Sequence, residues 1–112
     1  AACADGLPDH GRYASLLAEA GSPRGVLDMF SRPGFQAQDQ WQLQIQAQIQ
    51  QRAEVYVYSD GLTDAQIERA LFIPCRNIEK TIALLMEKYG PQVRMCVIPD
   101  GPQVLPYLRG TA

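Results

Sequence analysis

The segment VYVYSDG at 55–61 constrains the fold most, because β-branched and aromatic residues run straight into an Asp-Gly turn pair. That pattern marks a strand over 55–59. Helical spacing follows. Thr63 and Gln66 fit a capping box, and Ile67, Ala70 and Leu71 carry an apolar face up to Pro74. Asn77 then stands as the N-cap of a second helix with Ile78, Ile82, Leu85 and Met86 on one side and Gly90-Pro91 as its stop. VRMCVI at 93–98 reads as a nearly continuous apolar strand, the kind covered on both faces in a parallel sheet. Strand, helical crossover and strand make a right-handed βαβ unit. The fold class predicted is α/β: a small Rossmann-like three-layer domain with a short parallel sheet and flanking helices.

Upstream, RYASLLAEAG places Tyr13, Leu16, Leu17 and Ala20 at helical spacing, with Asp9 or His10 near the start and Gly21 as the stop. Ser22 and Pro23 open another helix, with Val26, Leu27 and Phe30 on one face and Pro33-Gly34 beyond its end. Between 40 and 50, glutamines alternate with Leu43, Ile45, Ala47 and Ile49, a period of two that favours a strand. Helix wins, because Gln, Ala and Leu are good helix formers, Asp39 can cap, and a strand so long would run unbroken into the next. Helical spacing gathers Trp41, Ile45 and Ile49 in one stripe, predicted to pack.

Charge and length exclude whole classes of function. With 112 residues and a net charge of −2, the chain has room for one self-sufficient core and lacks the basic footprint of a nucleic-acid binder. No apolar run approaches the roughly 20 residues that span a bilayer, and AACADGLPDH has neither the basic start nor the apolar stretch of a signal peptide. A cytoplasmic location is expected, with no membrane partner. Cys3, Cys75 and Cys96 are odd in number and far apart, so they suggest free thiols rather than a disulfide framework or a zinc site.

Asp-Gly recurs at 5–6, 60–61 and 100–101, each time after an apolar stretch, and DGLPD at 5–9 matches DGLTD at 60–64 in four of five positions. If AAC at 1–3 is the stub of a third parallel strand, these turns share the carboxyl edge of the sheet, where open α/β folds bind ligands. Asp5, Gly6, Asp9, His10, Asp60 and Asp100 are therefore candidate cleft-lining residues, although Gly after a strand and Asp before a helix are also ordinary turn chemistry. His10, the one histidine, could act as a general base or simply bond to a helix start. There is no GxSxG elbow, no GxGxxG and no GxxxxGK[ST]. No catalytic residue and no metal ligand set is predicted. Trp41, flanked by Gln40 and Gln44, could pack or could offer an aromatic wall with polar neighbours.

The strings ACADGLPDHGRYASLL, RPGFQAQDQWQLQIQAQI, VYVYSDGLTD and VIPDGPQVLPYL, in this order, resemble the carboxy-terminal domain of the nickel-dependent lactate racemase family. The resemblance runs from Cys3 to Leu108 and rests on the succession DGLPDHG, DQW, YSDGL and PDGP. It implies one domain over 1–108 with a frayed or artificially appended tail at 109–112. It also implies a missing amino-terminal catalytic domain, a nickel pincer nucleotide in the full-length enzyme, and a small 2-hydroxy acid as substrate. The family's cofactor lysine and its nickel-binding and acid/base histidines belong to that missing domain, so this chain alone is expected to be inactive and to hold no cofactor. Trp41 is the residue the resemblance assigns to cofactor binding, at the interdomain cleft, with Gln40 beside it. A non-catalytic interaction domain or a nucleotide-binding module is the alternative.

Overall fold

A computed structural model describes residues 3–7 and 11–107. Its elements are α1 (Tyr13–Ala20), α2 (Pro23–Phe30), α3 (Gln40–Gln50), β1 (Tyr56–Val57), α4 (Asp64–Arg69), β2 (Ile73–Pro74) and α5 (Ile78–Tyr89), followed by a 3-10 turn at Gly101–Gln103. Local chemistry sets most of these boundaries. Gly21 takes φ +67 and closes α1 through its N–H to the Leu17 carbonyl, a conformation that costs glycine nothing. Ser22 caps α2 by accepting from the Gly25 N–H at 3.0 Å, with Pro23 in the first turn. Thr63 and Gln66 form the expected capping box, and Asn77 accepts from the Lys80 N–H at 2.8 Å at the head of α5.

Helices α1 to α4 form one layer: α2 lies along α3, and α1 touches α2, α3 and α4. Its core is Leu16, Leu17, Val26, Met29, Leu43, Ala47 and Ala70. Segment 40–50 is helical, as its composition predicts, yet the face it buries differs from the expectation. Leu43 and Ala47 go inward at 0% and 1% exposure, while Trp41, Ile45 and Ile49 stay 65%, 50% and 50% exposed. The reason is the company Leu43 and Ala47 keep. Gln46 and Gln50, on that same side, donate to the carbonyls of Ala70 at 2.7 Å and Leu71 at 2.5 Å, and Tyr13 donates its hydroxyl to Gln46 Oε1.

Those two carbonyls end α4. The N–H of Leu71 bonds to Glu68 and that of Phe72 to Ile67, the paired pattern of a Schellman stop with Leu71 at φ +62. A leucine in this conformation is strained, and the glutamine bonds brace the turn. The helix therefore stops at Arg69, short of Pro74, and the chain turns at once into β2.

β1 and β2 pair in parallel, Tyr56 opposite Ile73 and Val57 opposite Pro74, so β1, α4 and β2 form a βαβ unit tighter than predicted. The N–H groups of Ile73 and Cys75 donate to Val55 and Val57 at 3.0 and 2.9 Å. The expected partner strand at 93–98 forms no ladder. From 91 to 107 every residue is exposed, and Val97 reaches 79%. Mixed helix and strand with a short parallel sheet and flanking helices is what the fold comprises. Of the predicted AAC strand, Ala1 and Ala2 lie outside the described residues, and Cys3 begins a turn closed by the Gly6 N–H at 2.9 Å. The tail expected at 109–112 also lies outside them. Among the described residues no helix is long and apolar enough to cross a membrane.

Candidate functional site

The turn at Cys3–Gly6, the start of α3 and the β1–α4 unit enclose a cavity of about 600 Å³, a size that suits a small ligand. Leu7, Val57, Leu62, Ile67, Ala70 and Phe72 make its apolar wall. Gln38, Asp39, Gln42 and Tyr13 supply its polar groups, and burial pushes the Tyr13 phenol above its ordinary pKa.

Asp39 shapes this rim, although the sequence suggested it only as a cap. It sits at φ +66 and caps nothing with its side chain. Its carboxylate instead reaches the Arg12 N–H at 3.4 Å. A Cβ on Gly11 would stand 2.3 Å from Asp39 Oδ2, and Gly11 itself has φ +72, so only glycine lets the loop come this close to α3.

Of the candidate residues, Gly6 lines the cavity and Asp5 is exposed on the same turn. Gln40 folds back on its own turn and accepts from the Ala37 N–H at 3.3 Å. Trp41 stands outside the cavity on the open face of α3, one residue from Gln42, which lines it. Asp9 and His10 lie outside the described residues.

Asp60 belongs to a separate arrangement. It accepts from the Tyr58 hydroxyl at 3.1 Å, and this bond to a carboxylate raises the pKa of the phenol. The turn that carries it is clamped by Arg76, whose three nitrogens reach the Ser59 carbonyl at 3.0 Å, the Leu62 carbonyl at 3.0 Å and Asp64 at 2.5 Å. Ser59 is fully buried and accepts from the Gly61 N–H at 3.2 Å. Sequence reasoning missed Arg76. Its partners are 12 to 17 residues away, and an arginine just before an N-cap carries no local signal. Asp100 lies in the exposed 91–107 stretch, outside any strand. Gly6 and Leu62, at the Asp5-Gly6 and Asp60-Gly61 turns, line the same cavity.

The chemistry this arrangement supports is enclosure and positioning. Among the described residues no group of three or more His, Cys, Asp or Glu is placed to hold a metal ion. Trp41 offers an exposed indole at the first turn of a helix that carries no charge over Gln40–Gln50. Such a face can cover a flat, apolar or aromatic surface without stripping water from an ion.

No curated protein and no solved structure matches the chain. Residues 1–105 do match the family described as the lactate racemase C-terminal domain, nearly the full length, and the chain belongs to that family.

Proposed function

We propose that this domain is the closing half of a nickel-pincer-dependent 2-hydroxy-acid racemase, covering substrate and cofactor held mainly by an amino-terminal catalytic domain in the cytoplasm. The observation that carries this reading is Trp41, a large aromatic residue left 65% exposed at the head of an uncharged helix. With Ile45 and Ile49, each 50% exposed on the same stripe of α3, it forms a contiguous uncovered apolar row, the kind of surface that meets a partner. The described residues do not supply a nickel ligand set, so the metal is assigned no site on this chain. They do fit a flat ring, with Trp41 as its wall and the side-chain amides of Gln42 and Gln44 nearby as neutral hydrogen-bonding groups.

When bound to the full-length protein, the family's cofactor would supply reversible hydride acceptance for the substrate carbon whose configuration inverts. The role of this domain is to exclude water and fix the geometry of approach. Asp39 holds Gly11 and Arg12, at the entry to α1, against the start of α3, and Arg76 holds the turn that carries Asp60. Both contacts fix backbone without any proton moving through them. Residues 1–108 make up the domain, and no catalytic residue is assigned to it.

The test uses the full-length protein. Bound nickel and inversion of lactate or another 2-hydroxy acid are expected, and Trp41→Ala is expected to slow inversion by about 10- to 100-fold, the loss that follows from misplaced reacting groups. Trp41→Phe should retain most of the rate. A protein with no nickel that inverts no 2-hydroxy acid overturns the enzymatic reading. Unchanged inversion and cofactor retention in Trp41→Ala overturns the role of Trp41.

A further inference from the structure

We infer that Gln46 and Gln50 are positioning residues for Trp41: their side-chain amides fix the roll of α3 about its axis, so that the row Trp41, Ile45 and Ile49 is held outward for the partner domain. This placement rests on the reading of Trp41 as the wall of a cleft and names what holds that wall. Helix α3 carries two apolar stripes. At 3.6 residues per turn, Leu43 and Ala47 lie about half a turn around the axis from the centre of the Trp41 row. A tryptophan and two isoleucines offer more apolar surface than a leucine and an alanine, so burial by area alone would turn that row inward. The opposite is found. Leu43 and Ala47 are buried, and the larger row stays uncovered.

What opposes area is a chain of hydrogen bonds on the inward side. Tyr13 of α1 donates its hydroxyl to Gln46 Oε1, and Gln46 Nε2 donates to the Ala70 carbonyl at 2.7 Å and to Gln50 Oε1 at 3.3 Å. Gln50 Nε2 donates in turn to the Leu71 carbonyl at 2.5 Å. Each amide thus uses both its oxygen and its nitrogen. The two glutamines stand four residues apart on one face, the spacing that lets helical side chains act as a pair. Their outer partners are main-chain carbonyls at the end of α4, so the bonds set a direction as well as a distance. A rolled helix would leave them unmade.

The head of α3 is pinned as well. Asp39, two residues before Trp41, accepts from the Arg12 N–H at 3.4 Å at the entry to α1. The glutamine bonds also brace Leu71, held at a strained φ of +62. Ala70 and Phe72, on either side of it, line the same cavity as Gln42 of α3. One network therefore sets both the outward face of α3 and the wall of the cavity beside it.

Trp41 is the one tryptophan of the chain, so its fluorescence reports on this face alone. At 65% exposure it should be quenched by acrylamide nearly as freely as a solvated indole. Gln46→Met combined with Gln50→Met keeps two unbranched side chains and removes both amides. Its quenching constant should fall at least ~2-fold as the apolar row turns toward the layer, with the far-UV helix signal retained. Gln48→Met, on the exposed side, should match the wild-type chain. Should the double variant lose its helices, Gln50→Met alone decides, because Gln46 then keeps its bonds to Tyr13 and Ala70, and a smaller fall in quenching is expected. Quenching that is unchanged or increased in the folded variant overturns the inference. The measurement needs no turnover, so its failure is distinct from that of the racemase reading, which shows as absent nickel and absent inversion.

Discussion

The α1–α4 layer and the C-terminal stretch from α5 onward are built from equally apolar sequence and end in opposite states. In the first, Leu16, Leu17, Leu43 and Ile67 are at most 2% exposed. In the second, α5 buries no residue, and Leu84, Met95 and Leu105 are 65%, 58% and 92% exposed. The two regions differ in the partners available to them. Each helix of the layer meets another whose apolar side faces it, while β1 and β2 offer α5 and 93–98 a sheet only two strands wide. Hydrophobic patterning states where a side chain is stable, and it is silent on which chain provides the cover. The comparison therefore separates a core that closes on itself from a surface that waits for more protein.

The largest expected effect tests that separation directly. Leu43→Ala removes a side chain with no exposure from the centre of the layer and should destabilise the domain by ~2–5 kcal/mol. Leu84→Ala, at 65% exposure, should change stability by less than about 0.5 kcal/mol. Denaturant unfolding of the two variants measures both, and equal losses would erase the distinction between the regions. Gln46→Leu comes next, because it deprives the Ala70 carbonyl and the Tyr13 hydroxyl of their partner inside the layer. A loss of ~1–3 kcal/mol is expected, the cost of stranding buried polar groups. A neutral result would mean that water replaces the amide and that the α3–α4 contact is looser than its hydrogen bonds suggest.

What the sequence made legible follows the range of the signal. Gly21, the Ser22-Pro23 start, the Thr63–Gln66 box and Asn77 act within one helical turn, and each lies where its residue type predicts. β2 was hidden because Ile73-Pro74 is too short for a periodic pattern and its proline reads as a helix stop, although a proline suits the edge of a sheet. The inward face of α3 was undecidable locally. Trp41, Ile45 and Ile49 make as good a stripe as Leu43 and Ala47, and the choice depends on carbonyls more than 20 residues away. In the candidate site, Gly6 and the head of α3 could be found from turn residues. The clamp on Asp60 could not, since Arg76 meets its turn only through the parallel pairing of β1 and β2.

Arg76 carries the next prediction. Its guanidinium is half exposed, which discounts the pairing with Asp64, but its bonds to the Ser59 and Leu62 carbonyls tie down both ends of the turn. Arg76→Gln should cost ~1 kcal/mol and speed hydrogen exchange at Gly61, whose N–H bonds to Ser59. Unchanged exchange at Gly61 would show the turn to be rigid without the clamp.

The smallest effect concerns the ion pair that ties the end of α5 to the chain entering β1. The Lys88 ammonium, by hydrogen bond and by charge, holds the Glu54 carboxyl below its ordinary pKa, and Glu54 holds Lys88 above its own. For the carboxyl, the native state binds its proton less readily than the unfolded chain does. Its contribution is therefore present above the unfolded value of 4.5 and fades as pH falls through the lower native one. For the ammonium the sign reverses, so the contribution is full below 10.5 and fades as pH rises through the higher native value. The tether should thus be intact across the neutral range and released at both extremes, and salt should weaken it, because both side chains are well exposed. Hydrogen exchange at the last turn of α5 is the measurement. Acceleration in acid that disappears in Glu54→Gln is expected, whereas a pH-independent profile would assign the position of α5 to its packing against the sheet and not to this pair.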